Sequence, residues 1–190
     1  DPQQRLLLEH GYEALHGAAL RRESLLGSGT GVCLGICSHD FAELLRTSAA
    51  GRSVYAATGA SASIASGRLS FVLGLHGPCV SFDTACSAAL VACVGAQQSL
   101  RLLACDLALV AGVNLILVPS FSEAMARAGM TSVRGRCHSF DSAADGFARA
   151  EACVGVAVRV GVGDAAAMAG LLGGAVRQDG RSASLTAPNG

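Results

Sequence analysis

Residues 86–103 contain no Pro and only one Gly, Gly95, and Ala88, Ala89, Leu90, Val91, Ala92, Cys93, Val94 and Ala96 follow one another within them. A helix built on this segment is apolar on every side until Gln97 and Gln98 break the run. Such a helix has no face to offer water and has to be covered all round. That requirement selects a layered fold over an open, single-faced one.

The remaining segments supply the layers. Residues 32–37 are a short continuous apolar run of the kind buried parallel strands show, residues 79–83 alternate, and residues 107–118, 153–160 and 169–176 are further strand candidates. Helical spacing of Leu6, Leu7, Leu8, Tyr12 and Leu15 predicts an amphipathic helix over 3–20. Residues 40–46 predict a short helix, and residues 120–128 another with Ser120 as N-cap. Residues 61–72 are rich in small side chains, and their pattern leaves helix and strand open. Helices alternating with apolar strands give an α/β layered fold whose sheet, flanked by helices, is mainly parallel. Residues 161–167 resemble a short linker, and no domain boundary follows from it.

Composition removes several function classes. The chain has 190 residues, 51% hydrophobic and 15% charged, which excludes a disordered tail and favours one globular domain. Fourteen basic residues, all Arg, balance fourteen acidic ones, so no net field draws the chain to nucleic acid or to an anionic membrane. The apolar stretch 107–118 is interrupted by Asn114 and falls short of the roughly 20 residues a spanning helix needs. The eight cysteines sit in apolar or helical surroundings and read as reduced thiols. A first residue Asp1 and an abrupt Pro188-Asn189-Gly190 end read as a piece cut from something longer, and cytoplasm is the default compartment.

Chemistry concentrates at Asp83-Thr84-Ala85-Cys86-Ser87-Ala88-Ala89, which sets a thiol where a strand ends and an apolar helix begins. Free N–H groups and the positive end of the helix dipole favour thiolate over thiol. The same N–H groups suit the oxyanion of an attacked thioester, and the small flanking residues leave room for a substrate, as in a nucleophile elbow. The alternative is a small buried hydrophobe, which is how free Cys usually behaves; burial raises a thiol pKa and opposes the helix terminus. Cys33, Cys37 and His39 lack a second ligand pair at zinc spacing, so no metal is expected. Gly27-Ser28-Gly29-Thr30-Gly31 lacks the Lys of a P-loop and precedes a strand, so it reads as a loop. Asp141, Asp145 and Glu151 read as solvated loop charges or partners of Arg149.

Gly77-Pro78, Asp83-Thr84-Ala85-Cys86-Ser87 and Leu90-Val91-Ala92 together resemble the active-site segment of β-ketoacyl synthases, especially the ketosynthase domains of type I polyketide synthases. Asp1-Pro2-Gln3-Gln4-Arg5 resembles a segment near the start of that domain. Gly112-Val113-Asn114, Gly129-Met130, Gly135-Arg136-Cys137, Ser139-Phe140-Asp141, Ala144-Asp145-Gly146-Phe147, Gln178-Asp179-Gly180-Arg181 and Leu185-Thr186-Ala187-Pro188-Asn189-Gly190 recur in the family in this order. The resemblance implies a thiolase-like fold of two α/β halves, usually dimeric, of which residues 1–190 are the N-terminal half, truncated at both ends. It makes Cys86 the nucleophile that accepts an acyl group for decarboxylative condensation in polyketide or fatty-acid chain extension. The same resemblance implies that the substrate arrives on the phosphopantetheine arm of an acyl carrier protein, that Asp179 and Thr186, which resemble positions near the active-site mouth, contact this arm, and that the chain itself binds no cofactor.

Two catalytic histidines belong to the family's second half, and none of His10, His16, His39, His76 or His138 matches them. The uncovered side of the helix after Cys86 then calls for that half or another partner. Arg149-Ala150-Glu151-Ala152 stands where the family has Arg-Gly-Glu-Gly. If Gly serves a positive φ or a close approach there, each Ala costs about 1 kcal/mol or more. This motivates an alternative reading as a degenerate, non-catalytic module for dimerisation or carrier docking.

Overall fold

In the computed structural model, which describes residues 1–161 and 167–184, the apolar runs form one four-stranded sheet. Its strands are β1 (Gly31–Ile36), β2 (Cys79–Phe82), β3 (Leu107–Asn114) and β4 (Ala152–Arg159), ordered β2-β1-β3-β4. β1 runs parallel to both β2 and β3, with Leu34 opposite Ser81 on one side and Ala111 on the other. β4 closes the β3 edge antiparallel, Val110 opposite Val156. All six residues of β1 are buried, because this strand has a strand on each edge and helices on both faces.

The helices are α1 (Pro2–Gly17), α2 (Arg22–Leu25), α3 (Asp40–Arg46), α4 (Ala56–Ala60), α5 (Ala62–Leu73), α6 (Ala88–Arg101) and α7 (Ser120–Arg127). On one face of the sheet Val32, Leu34 and Ile36 of β1 and Leu109, Ala111 and Val113 of β3 join Leu7 and Leu15 of α1 and Ala65, Leu69 and Leu73 of α5. On the other face Cys33, Ala108 and Val110 pack on Ala92, Ala96 and Leu100 of α6. Strand alternation thus sorts β1 between two cores.

Several expectations change on folding. The open segment 61–72 is helical as α5, which ends on Gly74 at φ +68°, a left-handed cap that Gly adopts without strain. Ser120 is not the N-cap of α7: Pro119 takes that position, and the Ser120 hydroxyl donates to Glu43 Oε2 at 3.0 Å. β3 stops at Asn114 although apolar residues continue to Val118, because side chains claim the next backbone donors. Leu115 N–H donates to Gln3 Oε1 (3.2 Å), Ile116 N–H to Glu151 Oε1 (2.8 Å), and Leu117 and Val118 N–H to Asp40 Oδ2 (2.9 and 3.2 Å). These acceptors replace the ladder that a further strand would have supplied. Residues 169–176 form no strand; Leu172 accepts from Arg101 Nη2 at 3.4 Å, and Gly174 lies against Val94. A helix surface offers no row of N–H and C=O groups to pair with, so this apolar stretch crosses α6 as irregular chain. Of the linker-like stretch, residues 162–166 lie outside the described residues.

Candidate active site

β2 ends at Phe82, and within six residues the chain has turned into α6. Asp83 Oδ1 accepts the Ala85 N–H at 3.2 Å, and the Ser87 hydroxyl donates to both the carbonyl and the hydroxyl oxygen of Thr84 at 2.8 Å. Ala85 sits at φ +54°, left-handed backbone that an L side chain opposes, and residues Ala85–Ser87 form one short 3-10 turn. This strained turn delivers the Cys86 side chain to the surface: the residue is exposed and its thiol free. The reading of Cys86 as a buried hydrophobe therefore does not hold. No side chain caps the start of α6, so its first-turn N–H groups are not claimed by a neighbouring carboxylate or hydroxyl.

The start of α6 is pressed onto the sheet at two glycines. A Cβ on Gly35 would lie 2.5 Å from the Ala88 carbonyl carbon and 2.6 Å from Ala89 Cα, and one on Gly112 would lie 2.9 Å from Ala89 Cβ. Further along, a Cβ on Gly95 would lie 2.5 Å from the Phe82 ring. The turn that carries Cys86 is thereby seated at the C-terminal ends of β1, β2 and β3, the end of an open α/β sheet where ligands bind.

Around it, the carboxyl ends of the strands are tied together. Gln3 Nε2 donates to the Ser38 carbonyl (3.3 Å) while its Oε1 receives Leu115 N–H (3.2 Å), and Ser38 Oγ donates to the Leu115 carbonyl (3.2 Å). Asn114 Nδ2 donates to the Ala150 carbonyl at 2.8 Å. Arg149 lies over the Phe121 ring at 4.8 Å and donates to Ser122 Oγ at 2.5 Å. Cys37, just past β1, has its thiol pKa raised by burial first and then by the charges of Asp83 and Cys86, with Arg149 opposing. Cys37, Asp83, Cys86 and Arg149 thus share one neighbourhood.

Local sequence points to Cys86 but not to Cys37, Gln3 or Asp40. Cys37 stands out in sequence only as a possible metal ligand, and no group of three or more His, Cys, Asp or Glu suited to a metal occurs among the described residues. Asp40 shows itself only as the acidic opening of a helix. Asp179 is exposed in the irregular stretch that follows β4, and Thr186 lies outside the described residues. Ala150 and Ala152 are exposed and absent from the residues with positive φ, so neither carries the backbone cost expected of Ala at a Gly position. Ala152 simply opens β4.

Residues 1–160 match the model of the β-ketoacyl synthase N-terminal domain. The chain belongs to the β-ketoacyl synthase family. It is similar to a phenolphthiocerol/phthiocerol polyketide synthase of Mycobacterium tuberculosis, 46% identical over 194 aligned residues that cover 100% of this chain and 12% of the relative. A mycocerosic acid synthase-like polyketide synthase of Mycolicibacterium smegmatis is 42% identical, again over 100% of this chain and 9% of the relative. Among solved structures, the ketosynthase from module 6 of the bacillaene synthase of Bacillus subtilis superposes with a TM-score of 0.76 at 36% identity, covering 84% of this chain and 27% of that one. The oxazolomycin ketosynthase domain of Streptomyces albus gives a TM-score of 0.74 at 30% identity, over 84% of this chain and 28% of the other. The expected thiolase-like α/β fold is therefore the fold observed. No helix among the described residues is long and apolar enough to cross a membrane.

Proposed function

We propose that this chain is the acyl-accepting part of a β-ketoacyl-[acyl-carrier-protein] synthase that works in polyketide or fatty-acid chain extension, with Cys86 as the nucleophile. The observation that carries this reading is the exposed Cys86 thiol on the strained Ala85–Ser87 turn at the head of α6. The Cys86 sulfur attacks the carbonyl carbon of an acyl thioester borne on a carrier protein's phosphopantetheine arm. Negative charge collects on the carbonyl oxygen, where N–H groups of the uncapped helix start stabilise it. The carbon–sulfur bond to the arm then breaks, and the arm leaves as a thiol with the proton Cys86 gave up. Cys86 keeps the acyl group as a thioester.

Decarboxylation of a malonyl-type extender and carbon–carbon bond formation require groups that stabilise an enolate. In this reading they come from a histidine-bearing second half, which covers the outer side of α6. Leu90, 73% exposed on the first turn of that helix, and Val154, 59% exposed on β4, support such a contact. Asp179 and Thr186 are proposed as contacts of the arm, and the completed domain as a homodimer.

The test is incubation with an acyl thioester of N-acetylcysteamine, followed by mass-spectrometric mapping of adducts. A single adduct on Cys86 that disappears in Cys86→Ala is the expected result. Label spread evenly over Cys79, Cys86 and Cys137, or surviving in Cys86→Ala, removes the nucleophile assignment.

A further inference from the structure

We infer that Cys37 is the resolving thiol of Cys86: under a hydroperoxide the two join in a disulfide that masks the Cys86 sulfur reversibly. The sheet geometry brings them together. Alternate residues of β1 face α6, and their contacts step back along it. Cys33 packs with Ala92 and Ala96, while Gly35 abuts Ala88 and Ala89. Two residues of strand advance about 6.6 Å, close to the roughly 6 Å spanned by four residues of helix. Cys37 is the next residue of that alternation, one past the end of β1 at Ile36, and the same stride continued leads past Ala88 toward the Ala85–Ser87 turn that holds Cys86. The electrostatic influence of Asp83 and Cys86 on the Cys37 thiol fits this placement independently of the register.

The two thiols differ in a way that assigns their roles. Cys86 is exposed and meets an oxidant from solvent; Cys37 is half-buried, and both are free. Burial disfavours the Cys37 thiolate, so the first attack on peroxide falls to Cys86. The Cys86 thiolate attacks one peroxide oxygen, the O–O bond breaks, and Cys86 becomes a sulfenic acid as the second oxygen leaves as hydroxide or alkoxide. The Cys37 sulfur then attacks the Cys86 sulfur. The S–O bond breaks, the hydroxyl departs as water with the Cys37 proton, and a disulfide remains. The peroxide supplies the two-electron oxidation, and a dithiol reductant reverses it. While it lasts Cys86 accepts no acyl group, but it is also kept from irreversible sulfinic acid.

The experiment treats the dilute chain with hydrogen peroxide and maps disulfides by fragment ions that separate Cys37 from Cys33, and Cys86 from Cys79 and Cys93. The expected result is an intramolecular Cys37–Cys86 link, short of two hydrogens, that dithiothreitol removes. In Cys37→Ser and Cys37→Ala, Cys86 should pass to sulfinic acid several-fold faster than in the unaltered chain. The inference is overturned if Cys86 links equally to Cys79, Cys93 or a second molecule, or if it is recovered by dithiothreitol as fully in both variants as in the parent. It rests on the placement of two thiols and not on acyl transfer. Acylation of the fully reduced chain, assayed separately, reports on the proposed function alone.

Discussion

Ala85 holds a backbone angle of φ +54° immediately before Cys86, left-handed backbone that a Cβ opposes and a β-branched side chain opposes most. Ala85→Gly is expected to raise stability by about 1 kcal/mol or less, since Gly reaches this region freely but loses more entropy on folding. Ala85→Val should cost about 2 kcal/mol and slow Cys86 acylation as the turn shifts. Urea unfolding and the adduct assay, run on both variants, check the pair; equal stability of the two would show that the turn is not strained. Among the other thiols, Cys33 is 2% exposed and its pKa is pushed up to about 11, first by burial and then by the nearby Cys105, Cys79 and Cys93. Its raised value means that the unfolded chain releases this proton before the folded one does. The contribution is fully present below the unfolded thiol value of 9.0 and is lost as the pH rises through about 11. Urea midpoints from pH 8 to 11 should therefore fall with pH, and fall less steeply in Cys33→Ala. The Cys86 motif is legible in sequence because residue type, a preceding strand and a following apolar helix coincide in one segment. Cys37 is not, since the thiol it is proposed to pair with belongs to a distant segment of the chain.

The packing of α6 on the sheet depends on what is missing from two strands. Gly35 meets helix backbone, which cannot move aside without displacing the whole element, whereas Gly112 meets the Ala89 methyl. Gly35→Ala is expected to cost about 1–3 kcal/mol, the range for overpacked cores, and to lower Cys86 acylation; Gly112→Ala should cost less. Thermal unfolding of the two variants ranks them, and a reversed order would contradict the close approach of Ala88 and Ala89 to Gly35. Most elements are readable from the chain alone. Residues 40–46 predict α3 with its observed bounds, and the breakers Gly77-Pro78 mark the entry to β2. Failures come where apolar composition outruns available partners. Residues 115–118 read as strand yet give their N–H groups to Gln3, Glu151 and Asp40, and residues 169–176 read as strand yet cross a helix. Periodicity reports which residues want burial; it does not report which hydrogen-bonding groups stand opposite.

Across the whole molecule, a helix apolar on all sides meets a sheet that covers one. Ala88, Ala92, Ala96 and Leu100 are buried against it, and Leu90 on another side is 73% exposed. Leu90→Asp is expected to change the stability of this chain by no more than about 0.5 kcal/mol, as for surface positions generally, with the new charge well placed in the first helical turn. The same change should abolish binding to a separately expressed histidine-bearing half of the synthase, measured by titration calorimetry. Undiminished binding would mean that this face is not the contact. The α/β class, the mainly parallel sheet, the family and the thiol at the strand-to-helix turn can all be read along the chain, because each rests on residues adjacent in sequence or on periods of two and 3.6 residues. Folding in three dimensions was needed to settle that β4 runs antiparallel, that three side chains from distant elements end β3, and that Ala150 and Ala152 carry no strain. Those outcomes depend on which surfaces meet once the layers close, and no local pattern along the chain encodes a meeting between segments dozens of residues apart.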